Sequence, residues 1–139
     1  MKRVVFLFPH PTAGPTGGYK VVYEYANRLA EEGYQVGIVY SGSIYWSRKS
    51  LFHKITCCIR YIQKYLQGYS CRSWFALDER VQEHFTFSLN QRHVPKADIY
   101  VATSPYTAYY LNEYDDSSKQ FYFIQGYEDW AAGLRAILH

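Results

Sequence analysis

Two adjacent glycines, Gly17 and Gly18, stand where a loop rich in proline and glycine (Pro9 to Gly18) gives way to a run with helical periodicity. Glycine at such a junction lets backbone N–H groups and the positive end of the helix dipole face outward together, a combination that attracts anions. The spacing excludes two familiar phosphate loops. Gly14, Gly17 and Gly18 do not follow G-x-G-x-x-G, the second apolar run ends in Ser41 and Gly42 with no acid, and no G-K-[ST] occurs. The pair therefore reads either as a ligand-facing loop or as a permissive tight turn. The groups that topology would bring beside it offer glycine backbone, hydroxyls, amides and aromatic rings, with His10 and Glu128 the obvious titratable members. Such a lining suits a polyhydroxylated, phosphate-bearing ligand better than a metal or an acyl substrate. The sequence contains no serine nucleophile elbow and no carboxylate pair of hydrolytic spacing.

The elements that must hold these groups follow from periodicity. Val4 to Phe8 is an apolar strand, and after the loop Val21, Val22, Tyr25, Ala26, Leu29 and Ala30 recur at helical spacing against Lys20, Glu24, Asn27, Arg28 and Glu31. Gly33 is the expected left-handed stop, and Val36 to Tyr40 reads as a second buried strand. Strand, glycine turn, helix and strand make a right-handed βαβ unit, the seed of an open parallel sheet covered by helices on both faces. Leu51 to Gln67 is a basic amphipathic helix, and a short strand is expected near Phe85 to Phe87. Ile99 to Ala102 reads as a strand; Thr103 or Ser104 then caps a helix with Pro105 in its first turn, running through Leu111. Phe121 to Ile124 is the last expected strand, and Trp130 to His139 a helical tail. Four strand ends thus deliver loops to one edge: Pro9 to Gly18, Ser41 to Trp46, Thr103 to Pro105, and Gln125 to Glu128.

The 139 residues, 48% of them hydrophobic, suit one compact domain. No apolar run approaches the about 18 residues needed to cross a bilayer. Lys2 and Arg3 precede an apolar stretch that ends already at Pro9, which favours a cytoplasmic start over a signal peptide. Cys57, Cys58 and Cys71 lack C-x-x-C spacing and paired histidines, so they read as small hydrophobes in a reducing compartment. Charge is uneven. Between Glu32 and Asp78 there is no acid, yet Arg48, Lys49, Lys54, Arg60, Lys64 and Arg72 stand there, while the rest of the chain is net acidic. Tyr45, Trp46, Tyr69, Trp74 and Phe75 flank those cations. The Leu51–Gln67 helix therefore reads as core cover or as a surface for an anionic membrane. The acidic remainder and the lack of a recognised motif argue against nucleic acid.

Taken in order, Gly17-Gly18, Val21 to Leu29, Gly33 to Val36, Ala97 to Thr103, Thr107 to Tyr109 and Phe121 to Glu128 resemble the amino-terminal domain of GT-B glycosyltransferases. The likeness is to the family-four type of bacterial surface polysaccharide synthesis. The resemblance implies a Rossmann-like domain that forms the acceptor side of a retaining sugar transferase, with a nucleotide sugar as co-substrate and no metal or other cofactor. It implies donor phosphate against Thr16, Gly17 and Gly18, acceptor at His10, Tyr19, Thr103, Ser104 and Tyr106, and catalytic positions at Gln125 and Glu128. It implies a lipid-linked or glycan acceptor, and contact with the inner face of the plasma membrane through Arg48, Lys49, Lys54, Arg60, Lys64 and Trp74. Two departures accompany it. Gln125 stands where relatives commonly have a histidine, and a glutamine can hydrogen-bond a sugar without acting as a base. The second domain of such enzymes, with its basic pair and E-x7-E motif, does not follow in these residues, so a truncated chain or one half of a split enzyme, inactive alone, is expected. A non-catalytic docking module is the alternative, and a flavodoxin-type nucleotide or redox domain a third reading.

Overall fold

The computed structural model describes residues 1–10, 14–41, 55–56, 59, 62–63, 66, 70–86 and 88–125. Their backbone forms β1 (Arg3–Phe8), α1 (Gly17–Glu31), β2 (Gln35–Ser41), β3 (Gln82–Thr86), β4 (Ile99–Ala102), α2 (Pro105–Leu111) and β5 (Lys119–Tyr122). The strands make one sheet in the order β3-β2-β1-β4-β5, and every neighbouring pair is parallel. This is an α/β, Rossmann-like open sheet, with α1 on one face and α2 on the other.

β1 is central, so both of its faces are covered and five consecutive residues from Val4 to Phe8 are buried. Val4, Phe6 and Phe8 point to the α1 side and pack with Val22, Tyr23, Ala26 and Ala30. Val5 and Leu7 point to the α2 side, where Val39, Leu89, Ala102, Leu111 and Tyr114 complete the core. α1 ends as its sequence requires: Gly33 has φ +95°, and the N–H groups of Gly33 and Tyr34 return to the carbonyls of Ala30 (3.1 Å) and Leu29 (3.0 Å). α2 starts on Ser104, whose hydroxyl accepts the Thr107 N–H in a capping box behind Pro105.

Two strands differ from expectation. β3 runs Gln82–Thr86 because its pairing partner is the stretch Gly37 to Ser41, while Phe87 lies outside the described residues. β5 begins at Lys119, two residues early, and ends at Tyr122 because β4 offers only Ile99 to Ala102 to pair with before Thr103 turns toward α2. The expected helix over Leu51–Gln67 falls mostly outside the described residues. Those described are helical, and their apolar members do not enter the core: Ile55 and Ile59 are each 51% exposed, Ile62 53% and Leu66 76%.

The Asn27 side chain, expected to face solvent, clamps the segment before β3 by donating to the Ala76 carbonyl (2.9 Å) and accepting the Asp78 N–H (2.7 Å). Arg72, one of the six clustered cations, is drawn into the same segment, donating to the carbonyls of Leu77 (2.7 Å) and Val81 (2.8 Å).

Candidate functional site

At the carboxyl edge of the sheet, β1 runs into Pro9 and His10, and α1 starts at Gly17. Thr16 is the helix N-cap in extended conformation, but its side chain caps nothing, and the first turn holds no acid. The earliest intrahelical bond is Lys20 N–H to the Thr16 carbonyl at 2.9 Å. The first-turn amides of a helix fifteen residues long therefore face out of the sheet edge with the dipole's positive end behind them.

Gln125 stands beside them. A methyl group added at Gly18 would lie 2.9 Å from Gln125 Oε1, closer than carbon and oxygen tolerate. A side chain at 18 would therefore push the end of the Gln125 amide away from the helix start. Gly17 and Gly14 would meet nothing within 4 Å, so contact does not demand glycine there. The approach continues down α1, where Phe123 meets Tyr25 edge to face, ring centroids 5.3 Å apart. The loop before α1 is latched as well: Tyr19 donates its hydroxyl to the His10 carbonyl (2.6 Å) and packs on Phe8 at 4.4 Å between centroids.

The remaining expected site residues divide. His10, Thr16 and Gly17 are exposed at the edge. Thr103 and Ser104 are buried and committed: Thr103 Oγ1 donates to the Leu7 carbonyl (2.8 Å), joining β1 to the β4 end, and Ser104 caps α2. Tyr106 is half-buried against the α2-side core. Glu128 and the basic residues Arg48, Lys49, Lys54, Arg60 and Lys64 lie outside the described residues. Trp74 is half-buried, its ring 5.6 Å from Tyr23 and its indole nitrogen shut off from solvent.

Sequence reasoning missed one polar network, on the α1 side of the sheet. The Tyr23 and Tyr40 hydroxyls lie 2.7 Å apart; Tyr40 donates onward to Glu83 (3.2 Å), which also accepts the Ser70 hydroxyl (2.6 Å) and the Cys71 N–H (3.2 Å). Burial, reinforced by Tyr23, pushes the Tyr40 hydroxyl far above its ordinary value, and burial with Glu83 pushes the Cys71 thiol up to about 12. Both groups stay protonated and hold the turn at Cys71–Ser73 against the sheet. The only available signal was a glutamate in a short strand otherwise read by its aromatics.

Two hollows among the described residues lie at the other end of the sheet. One of about 370 Å³ is lined by Arg3, Tyr34, Gly37, Arg80 and His84, and one of about 620 Å³ by Asn90, Arg92, Lys96, Tyr100 and Asp115. Burial, with Arg3 nearby, lowers the His84 pKa. Among the described residues no cluster of His, Cys, Asp and Glu is placed to hold a metal, and no helix is long and apolar enough to cross a membrane. Compared with protein families, with curated proteins and with solved structures, the chain matches none.

Proposed function

We propose that this chain is the acceptor-side, amino-terminal half of a retaining glycosyltransferase that uses a nucleotide sugar as donor. One observation carries the reading: the first turn of α1, which holds no acid and no side-chain cap, and the Gln125 amide meet at Gly18, at the carboxyl edge of a wholly parallel sheet. In such a transferase the bond from the sugar to the diphosphate breaks, and the electron pair leaves with the phosphate. The acceptor hydroxyl forms the new glycosidic bond and passes its proton to an oxygen of the departing phosphate. The α1 amides would stabilise the departing charge electrostatically, with no need for a metal. Gln125 would hydrogen-bond the sugar without taking the proton. The nucleotide itself is left to a second domain, so the isolated chain binds donor weakly.

Isothermal titration with nucleotide sugars tests this. The chain alone is expected to bind in the millimolar range, about −4 kcal/mol, and transfer is expected only when a separate carboxyl-terminal domain is added. Micromolar donor binding by the chain alone would overturn the split-site reading.

A second reading, a docking module for an anionic membrane at the inner face of the plasma membrane, draws support from the exposed Ile55, Ile59, Ile62 and Leu66. Their spacing of four, three and four puts them on one helical stripe, in a segment whose charges are all positive. Retention by anionic vesicles at low salt and release at high salt is the expected behaviour; no retention at low salt ends it.

A further inference from the structure

The pleat of the sheet gathers a set of uncommitted polar groups at its amino edge, away from Gly18 and Gln125. Along β1 the side chains alternate, Val4 toward α1 and Val5 toward α2, so Arg3 shares the Val5 face. The register carries that face across two more strands: Arg3 pairs with Gln35, Val5 with Gly37, Gly37 with Gln82 and Val39 with His84. Gly37 forms the floor of the hollow of about 370 Å³ that these residues line. Its missing side chain leaves the space open. A methyl group there would meet Val5 Cγ2 at 3.5 Å and His84 Cδ2 and Nε2 at 3.6 and 3.7 Å, all ordinary contacts.

The fold does not use up the donors around that floor. The half-buried Arg3 guanidinium makes one long hydrogen bond, to the Lys96 carbonyl at 3.3 Å, and among the described residues it meets no carboxylate. A partly buried charge ordinarily has a partner. The His84 ring is half-buried too, with no hydrogen-bond partner among the described residues. Gln35 and Gln82 add exposed amides. Arg80 stands on the rim with its charge balanced, because its Nε and Nη2 hold Asp78.

We infer that this hollow binds a small phosphate ester, the phosphate seated over Gly37 between Arg3 and His84. A guanidinium fork grips oxyanions bidentately, and donors converging from three strands suit a tetrahedral anion better than a planar carboxylate. The volume lies in the range of sites for small organic ligands, and Tyr34 and Pro95 on the rim offer half-buried surface to the carbon part of the ester. The negative end of the α1 dipole reaches the rim at Ala30 and Gly33, which favours the seat beside Arg3 and His84 over the rim itself. The charges facing His84 are Arg3 from β1 and the Arg80–Asp78 pair from the segment before β3, while β2 contributes none. Burial and Arg3 hold its pKa down, and a phosphate beside it would raise it again, so binding draws a proton to the ring. The hollow lies at the opposite edge from Gly18, and the inference does not depend on the sugar-transfer reading.

NMR of the full chain tests it, with glycerol phosphate and inorganic phosphate as probes against chloride at matched ionic strength. Saturable shifts at Gly37, Gln82 and His84 are expected for the ester in the millimolar range or below, together with a rise in the His84 pKa. Inorganic phosphate is expected to shift the same residues more weakly. Arg3→Gln is expected to weaken ester binding at least about tenfold. Gly37→Ala, whose methyl fits without a clash, is expected to weaken it while leaving the β1 amide shifts in place. Arg92→Gln, in the other hollow, is expected to leave it unchanged. No saturable shift with the ester, or an equal loss in Arg92→Gln, would overturn the inference. So would inorganic phosphate binding as tightly as the ester, or retention by phosphatidic acid vesicles with no response to the free ester.

Discussion

The two sides of the sheet differ in how far they are finished. On the β1–β2 side every residue from Val36 to Ser41 is buried, and helix, strands and the Glu83 network close over one another. On the β4–β5 side the edge strand keeps Phe121 and Tyr122 in the open, and Ile124 beyond it is 70% exposed. The difference teaches where stability and function are divided. The finished side supplies the rigid base of α1. The unfinished side supplies Gln125 and the exposed edge strand before it, a surface with capacity left for a ligand or another domain. The candidate site lies on the seam between them, where Gly18 of one meets Gln125 of the other.

The comparison breaks most easily in the core. Leu7→Ala, at a residue with no exposed surface, is expected to cost about 2–5 kcal/mol, read as a fall in the denaturant midpoint. A loss below about 1 kcal/mol would show that this side is not the rigid one. Glu83→Gln comes next, with an expected cost of about 1–3 kcal/mol, because the amide cannot accept from Tyr40, Ser70 and Cys71 together. Alkaline titration sharpens the same point. The Tyr40 pKa is raised in the folded chain, so its contribution is full below the ordinary tyrosine value near 10 and is lost as pH climbs beyond it. Tyr40→Phe is expected to flatten the loss of stability above pH 10; an unchanged alkaline limb would mean that Tyr40 is not the titrating group.

At the seam the expected effect on stability is smaller and the effect on binding larger. Gly18→Ala removes a flexible residue from the first turn of α1 and need displace only the far end of Gln125, so stability is expected to change by less than about 1 kcal/mol. Donor binding in the presence of a second domain is expected to drop, whereas Gly17→Ala, which meets nothing, lowers it less. Equal effects at both positions would remove Gln125 from the site. The smallest effect belongs to Asp78, which Arg80 holds down to about 2 through paired hydrogen bonds at 2.9 and 2.7 Å. Its contribution is present above the ordinary value of 3.8 and disappears as pH falls through about 2. Asp78→Asn should erase that acid limb, measured by thermal unfolding between pH 5 and pH 2.

Legibility in the sequence tracked the range of the interaction. The run Val4 to Phe8, the glycine stop at 33 and the Ser104–Pro105 helix start were readable because strand burial, a left-handed turn and a cap each depend on residues within a few positions. Gathering the strand ends on one edge was readable too, since parallel strands with right-handed crossovers leave little choice. The hydroxyl of Thr103 was legible as polar but not as spent, because its partner, the Leu7 carbonyl, depends on how β4 meets β1. Arg72 likewise read only as one of a cluster of cations, whereas in the fold its guanidinium, still on the surface, donates to the carbonyls of Leu77 and Val81 in the turn before β3.

By itself, then, the sequence determined the order and type of the elements and the edge to which their loops go, because periodicity and turn chemistry act locally along the chain. The tertiary structure alone decided that Gly18 lies against the Gln125 amide, that Trp74 packs on Tyr23, that Glu83 anchors the Cys71 turn, and that Ile55, Ile59, Ile62 and Leu66 stay outside the core. Each is a meeting, or a missed meeting, between residues far apart in sequence. Such meetings depend on the angles and distances at which whole elements pack, which no local pattern encodes.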